Sequence, residues 1–400
     1  MDTAQSDRRP WTWGCVARTL WLTWPQAALT VVGDNATRVP VVGDRLQPLA
    51  SAAALTAWLS RQVSATLDAR RAPPTDRRPP AGAVSSDDVL AACTSSVTGL
   101  TASPGVSWPS ADRRPPVLRR SALRRRYVRR EAVGYGPDPA QVLDIWAAPE
   151  ADTDRAPILI YVPGGAWVHG SRSYQGHSLL AHMADRGWLC LAIDYRVAPR
   201  HRWPRHIQDV KAAILWARTH AEQHGGDPRF VAIAGASAGG HLAMLAGLSS
   251  GDTEFDGHLD GADTSVDAVV SMYGRYDWEG RSTLERERFM GFLEHLVVGK
   301  SQAAAPKVFR DASPLARIAA DAPPSFIVHG SADSVIPVDQ ARHFAHALQT
   351  RSAAPVRYLE LVGAQHAFDL FDGMRTGPVC GAIGDFLDAM YRRHTSLLAG

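Results

Sequence analysis

Ser237 is preceded at two residues by one glycine and followed at two by another, in Gly235-Ala236-Ser237-Ala238-Gly239. The apolar run Phe230–Ala234 leads into this segment, and the small and apolar residues His241–Gly247 leave it. A strand, a sharp turn and a helix are the setting in which a G-x-S-x-G serine is lifted above a sheet and can attack a carbonyl. The flanking glycines suit that setting because a residue without a Cβ lets strand and helix come close. A second match, Gly247-Leu248-Ser249-Ser250-Gly251, has no strand ahead of it and reads as the end of the helix that begins at Ser237. Ser237, not Ser249, is the expected nucleophile.

A serine nucleophile needs a base for its proton, and the base needs a carboxylate that fixes its tautomer and stabilises the imidazolium. In a strand–elbow–helix fold of this kind the chain order is serine, then acid, then histidine. Ser325–Val328 reads as a late strand, and Asp333 lies in the turn-forming loop after it, ahead of a helix starting near Pro337. Asp339 falls inside that helix, where an acid complements the first turn, so Asp333 is the expected acid. A further strand, Val356–Leu361, leads to His366 in the loop Val362–Asp369, from which an imidazole reaches back over Ser237. Most of the fifteen histidines, among them His182, His206, His220, His224, His343, His346 and His394, fall on helices or surface loops. His329 precedes Asp333, and chain order disfavours it as base. Acyl transfer also needs amides aimed at the developing oxyanion. One is expected from Ala238, the residue after the nucleophile, and others from the loop after the third strand, Tyr161-Val162-Pro163-Gly164-Gly165-Ala166-Trp167.

These loops need a scaffold, and the pattern from Tyr127 onward supplies one. Strands are expected at 127–134, 140–146, 157–162, 188–194, 230–234, 266–272, 325–329 and 356–361, with helices at about 176–186, 205–224, 238–249, 337–350 and 379–394. Apolar strands alternating with helices predict a mostly parallel eight-stranded sheet covered on both faces, an α/β fold. The interval Tyr273–Ala320 is too long for an ordinary connection; with polar helical sequence at Thr283–Val298, residues 273–320 are a candidate lid insertion. The chain divides near residue 115. Residues 1–115 form an N-terminal extension with a Trp-rich start and a Pro-rich linker at Arg71–Ser86, and residues 116–400 the catalytic domain. Nine arginines between Arg113 and Arg130 are expected on a solvated helix face.

Composition narrows the partners. Of 43 basic residues only Lys211, Lys300 and Lys307 are lysines, and the net charge of +3 is too small to imply a polyanionic partner such as nucleic acid. Four dispersed cysteines without a C-x-x-C indicate neither a disulfide framework nor a thiolate metal site. No metal and no organic cofactor is required. The apolar stretch Thr19–Gly33 is too short to span a bilayer and lacks a convincing cleavage site. Its neighbouring tryptophans suit either peripheral membrane contact of the N-terminal segment or a helix packed on the protein, with a cytoplasmic or envelope-associated location left open.

Three segments besides the triad candidates carry a family resemblance, from Tyr127 to the C-terminus. Pro163-Gly164-Gly165-Ala166-Trp167 is similar to a His-Gly-Gly-x-Trp oxyanion loop, Asp194-Tyr195-Arg196-Val197-Ala198-Pro199 to a D-Y-R-x-A-P segment, and Gly235–Leu242 to the accompanying elbow. Together they resemble the hormone-sensitive-lipase-like carboxylesterases of the α/β-hydrolase fold, and among these the actinobacterial cell-associated esterases and lipases. The resemblance implies a serine esterase or lipase with triad Ser237, Asp333 and His366, oxyanion amides on Gly165 and Ala166 beside that of Ala238, and lipid-like ester substrates with short- to medium-chain acyl groups. Trp167 and Tyr273 are candidates for the substrate-pocket wall, or else core. Two departures stand out: Pro163 replaces the histidine that usually braces the loop, and Ala236 an acidic residue common before the nucleophile. The elbow and Gly-Gly-x-Trp loop also resemble arylformamidases, so formamide hydrolysis or acyl transfer by the same triad is an alternative. A non-catalytic binding protein on a hydrolase scaffold is a third, which a complete triad disfavours.

Overall fold

The computed structural model describes residues 116–149, 155–257, 259, 261–370 and 375–399; the expected N-terminal extension, 1–115, lies outside them. In chain order the elements are α1 (Pro116–Tyr127), β1 (Val128–Gly134), β2 (Val142–Trp146), β3 (Ala156–Val162), α2 (His177–Asp185), β4 (Leu189–Ile193), α3 (Arg205–His220), β5 (Gly226–Ala236), α4 (Ala238–Gly247), α5 (Thr253–Asp256), β6 (Ala268–Met272), α6 (Leu284–Phe292), α7 (Pro306–Asp311), β7 (Ser325–Gly330), α8 (Val338–Arg351), β8 (Val356–Leu361) and α9 (Thr376–Ala399). All eight expected strands form. The helix expected at 205–224 tightens into a 3-10 turn after His220, and α9 runs longer than its apolar pattern indicated.

The strands join in one sheet of order β1-β2-β4-β3-β5-β6-β7-β8. Only β1 with β2 and β2 with β4 pair antiparallel; the others are parallel. The central strands β3 (Ala-Pro-Ile-Leu-Ile-Tyr-Val) and β4 (Leu-Cys-Leu-Ala-Ile) are buried along their whole length, because helices cover both faces and no position can be polar. At one edge, β1 carries Arg129, Arg130 and Glu131 in water, charges that deter further strand pairing.

Register brings the chemistry to one level. Val162 at the end of β3 pairs with Gly235, Ala236 at the end of β5 with Met272, Met272 at the end of β6 with Val328, and Gly330 at the end of β7 with Leu361. The loops starting at Pro163, Ser237, Tyr273, Ser331 and Val362 therefore all open from the carboxyl edge of the sheet, where ligands bind in open α/β sheets.

The arginine-rich segment is only partly the solvated face that its charge suggested. Arg125, Arg126, Arg129 and Arg130 are exposed. Arg124 instead turns inward, donating to Asp144 and Glu131 at 2.8 Å each, and Arg120 donates to the Leu370 carbonyl at 2.6 Å. A lone arginine run cannot show this, since the partners lie on other elements. The 273–320 interval holds α6, a wider turn at Leu293–Val298, α7 and a 3-10 turn at Pro314–Arg317. It is seated by Tyr276, Trp278, Met290, Leu293, Val297 and Phe309, all buried. Among the described residues, no helix is long and apolar enough to cross a membrane.

Candidate active site

Ser237 occupies the corner between β5 and α4 at φ 54° and ψ −118°. A non-glycine residue held there costs about 1–3 kcal/mol, which the surrounding structure must over-determine. It does so through main-chain bonds: Ser237 N–H donates to Met272 O, and His241 N–H to Ser237 O, each at 2.9 Å. A Cβ on Gly235 would stand 2.2 Å from Gly239 O, and one on Gly239 would stand 2.1 Å from Val162 O. The two glycines are thus required by backbone packing, as the elbow pattern implies.

His366 Nε2 lies 2.9 Å from Ser237 Oγ, and His366 Nδ1 lies 2.8 Å from Asp333 Oδ2. With Nδ1–H donating to the carboxylate, Nε2 has its lone pair free for the serine proton. Asp333 Oδ1 accepts the N–H groups of Val335 and Ile336, both at 2.8 Å. Burial alone would raise the Asp333 pKa, but hydrogen bonds from His329 and His366 outweigh it and hold the carboxyl well below its ordinary value. His329, disfavoured as base by chain order, has a different place. Its Nε2 donates to Ile336 O at 2.9 Å and lies 3.3 Å from Asp333 Oδ2, bracing the carboxylate from behind. Asp339 is exposed on α8, paired with Arg342. Ser249 is buried with its hydroxyl on Leu245 O at 2.7 Å, a helix-end bond and no part of the site.

The loop after β3 curls against the elbow. Gly165, Ala166 and Trp167 have φ of 140°, 52° and 59°, and the N–H groups of Val168 and His169 both donate to Gly165 O. A Cβ on Gly164 would stand 2.6 Å from Ala236 O and 3.1 Å from Ser237 Cβ, so the loop touches the nucleophile. Among the described residues, no acceptor takes the N–H of Gly165, Ala166 or Ala238. Three such donors beside a serine are what a developing oxyanion requires.

Gln175, which no sequence motif marks, and Tyr195, whose motif did not show this role, brace the loop where Pro163 stands. Gln175 bonds Gly164 reciprocally: Gly164 N–H donates to Oε1 at 2.8 Å and Nε2 donates to Gly164 O at 3.1 Å. Tyr195 Oη donates to Pro163 O at 3.1 Å. Tyr195 belongs to the Asp194–Pro199 segment, in which the Ala198 N–H also bonds the loop, donating to Trp167 O at 2.9 Å, while its charged members are tied to other elements. Asp194 accepts Arg172 N–H at 2.7 Å and pairs with its guanidinium, which bonds buried Asp144 at 2.8 Å. Arg196 forks onto Asp209. The motif was visible; its partners, far away in sequence, were not.

Trp167 and Tyr273 are both at the site, and both are packed away, 3% exposed each. Trp167 Nε1 donates to His241 Nδ1 at 3.2 Å, and its ring meets Trp278 edge-on with centroids 4.9 Å apart. His241 Nε2 in turn donates to Ala312 O at 2.7 Å, in the insertion. A histidine that accepts at one nitrogen and donates at the other is neutral, and burial pushes its pKa down to about 3. His206, which donates to Trp167 O at 2.9 Å, is held down to about 3 by the same cause. Tyr273 stands edge-on to the His366 ring.

An elbow serine on a mostly parallel eight-stranded sheet, with a histidine and a buried carboxylate aligned on it, defines an α/β-hydrolase. Known proteins agree. Residues 143–348, just over half the chain, match the BD-FAE family. Esterase LipC of Mycobacterium tuberculosis is 50% identical over 373 residues, covering 91% of each chain. Esterase LipQ of the same organism is 40% identical, covering 73% of this chain and 72% of its own. A thermophilic esterase of the planctomycete Thermogutta terrifontis, solved with butyrate bound, is 26% identical with a TM-score of 0.53, over 67% of this chain and 94% of that one. The chain belongs to the BD-FAE family and is a carboxylic ester hydrolase of the hormone-sensitive-lipase-like group.

Proposed function

We propose that the protein hydrolyses lipid-like esters of short to medium acyl length through an acyl-enzyme on Ser237. The observation that carries this reading is the unbroken relay from Ser237 Oγ to His366 at 2.9 Å and from His366 to Asp333 at 2.8 Å. Ser237 Oγ attacks the ester carbonyl as its proton passes to His366 Nε2, and the imidazolium formed is stabilised by Asp333 through Nδ1–H. The negative charge on the carbonyl oxygen falls to the free amides of Gly165, Ala166 and Ala238. Collapse of the tetrahedral intermediate expels the alcohol, which takes the proton from His366. Water, deprotonated by His366, then attacks the acyl carbon, and the acid leaves as Oγ regains its proton.

The butyrate seated in the Thermogutta esterase supports a short acyl group. The test is initial rates on acetyl, butyryl, octanoyl and palmitoyl p-nitrophenyl esters, for the protein and for Ser237→Ala. Hydrolysis peaking at butyryl or octanoyl and lost in the variant is expected. A palmitoyl optimum would overturn the acyl assignment, and faster turnover of formylkynurenine than of any ester would overturn the reaction. Covalent labelling by a fluorophosphonate should vanish in Ser237→Ala and persist in Ser249→Ala.

A further inference from the structure

The loop that carries His366 is clasped on both sides of the histidine. Before it, three bonds tie the loop to the Asp333 loop: Gly363 N–H to Ser331 Oγ at 2.8 Å, Ala332 N–H to Ala364 O at 3.0 Å, and Ser334 N–H to Gln365 Oε1 at 3.2 Å. These join acid and base directly. After the histidine, Ala367 turns at φ 55°. The chain is then held by a different group, the side chain of Tyr273, which follows the last residue of β6.

Tyr273 Oη donates to Asp369 Oδ1 at 2.5 Å. Its ring lies edge-on to His366, with centroids 4.8 Å apart and planes at 65°, and edge-on to Phe368 at 5.4 Å. Tyr273 itself is fixed by its N–H on Val328 O at 2.7 Å and by φ 40°, so β6 and β7 set where the hydroxyl stands. Asp369 has no other side-chain hydrogen bond among the described residues. The groups around it are the Tyr161 hydroxyl of β3, buried with no partner among the described residues, the Cys380 thiol of α9 and His366 itself. No basic side chain pairs with this carboxylate among the described residues, and Arg120 bonds the neighbouring Leu370 O instead. Desolvation raises the Asp369 pKa, and the Tyr273 hydroxyl opposes that rise. A half-buried carboxylate whose one side-chain partner among the described residues is a phenol, three residues from the base, has no part in the relay.

We propose that Tyr273 and Asp369 are positioning residues for His366: the phenol, rooted in the sheet, anchors the far side of the loop and holds Nε2 on the line to Ser237. This rests on the triad assigned above. Displacement of a catalytic group by an ångström is enough for a large rate loss, while removal of one hydroxyl leaves the packing of the Tyr273 ring in place.

The test is the rate of fluorophosphonate labelling, and kcat and KM on p-nitrophenyl butyrate, for Tyr273→Phe, Asp369→Ala, Asp369→Asn and the Tyr273→Phe/Asp369→Ala double variant, with thermal midpoints alongside. Tyr273→Phe is expected to lower kcat and labelling by about tenfold with KM within about twofold. Asp369→Ala should match it, the double variant should fall no further, and Asp369→Asn, which keeps an acceptor for the phenol, should restore most of the rate. Labelling of Tyr273→Phe at the rate of the unaltered protein would overturn the clasp alone. So would losses that multiply in the double variant, or losses that follow the thermal midpoint with no rescue in Asp369→Asn. Absence of Ser237-dependent labelling in the unaltered protein would overturn the triad and the clasp together.

Discussion

Replacing Gln175 with alanine removes both hydrogen bonds to Gly164, at 2.8 and 3.1 Å, and leaves the Gly164 N–H without a protein acceptor. Each bond is worth about 1 kcal/mol net, and an orphaned buried donor costs about 1–3 kcal/mol. The lost Nε2 bond and the orphaned N–H together make about 2–4 kcal/mol available to displace the loop. The rate effect has an upper bound. Loss of a single oxyanion donor raises a barrier by about 2.7–4 kcal/mol, and Gln175→Ala shifts amides that the Gly165 turn and the Tyr195 bond to Pro163 still hold in part. A tenfold to hundredfold fall in kcat is expected, about 1.4–2.8 kcal/mol in barrier, with KM nearly unchanged because the oxyanion forms only in the transition state. The assay is steady-state hydrolysis of p-nitrophenyl butyrate together with the thermal midpoint. Gln175→Glu, which keeps an acceptor for Gly164 N–H but sets a carboxylate against Gly164 O, should recover little. Unchanged kcat beside a lowered midpoint would refute the reasoning, showing that the turn and Tyr195 shape the loop without Gln175.

Other expectations follow from the same contacts. Asp333→Asn should lower kcat by a factor on the order of 10⁴, as loss of the carboxylate does in serine triads. Because the folded Asp333 pKa is depressed, its contribution to stability is complete above about pH 4 and is withdrawn as pH falls through the folded value. The stability difference between Asp333→Asn and the unaltered protein, measured by denaturant titration, should therefore shrink on acidification. His241 titrates in the opposite charge sense, being neutral when folded and protonated when unfolded. It withdraws stability as pH falls below about 6.5 toward its folded value of about 3. His241→Gln, able to accept from Trp167 and donate to Ala312, should show a shallower loss of thermal midpoint between those limits; an equal slope would rule out His241 as a source of acid sensitivity. Gly239→Ala, with its Cβ 2.1 Å from Val162 O, should destabilise by about 3 kcal/mol and abolish labelling; a folded, labelled variant would show that the elbow can relax.

The sequence disclosed whatever is local. Each strand was a short apolar run with clear ends, Ser237 sat in a pattern that only a strand–turn–helix explains, and chain order chose Asp333 and His366 from many carboxylates and fifteen histidines. The hidden features are those in which a polar side chain answers a partner far along the chain. Gln175 on Gly164, Tyr273 on Asp369 and Arg124 on Asp144 have no spacing that marks them. Glutamine, tyrosine and arginine are ordinary loop and surface residues until the fold brings a carbonyl or carboxylate to them. Trp167 shows the converse. An aromatic residue beside an oxyanion loop invites a pocket role, yet its N–H, carbonyl and ring are all occupied by His241, His206 and Trp278.

The bond from His241 to Ala312 also bears on how this scaffold can be re-engineered. Exchange of the 273–320 interval for that of another hydrolase is a natural route to new substrate preference, since the interval lies between two strands and the triad lies outside it. Here the exchange would remove the carbonyl that fixes the His241 tautomer, and with it the acceptor that orients Trp167 next to Ala166. A transplanted insertion can leave all three triad residues in place and still misalign the amides that receive the oxyanion. The unit that can be exchanged starts after Tyr273, which holds the His366 loop, and either retains the Ala312 carbonyl or is moved together with residues 167 and 241.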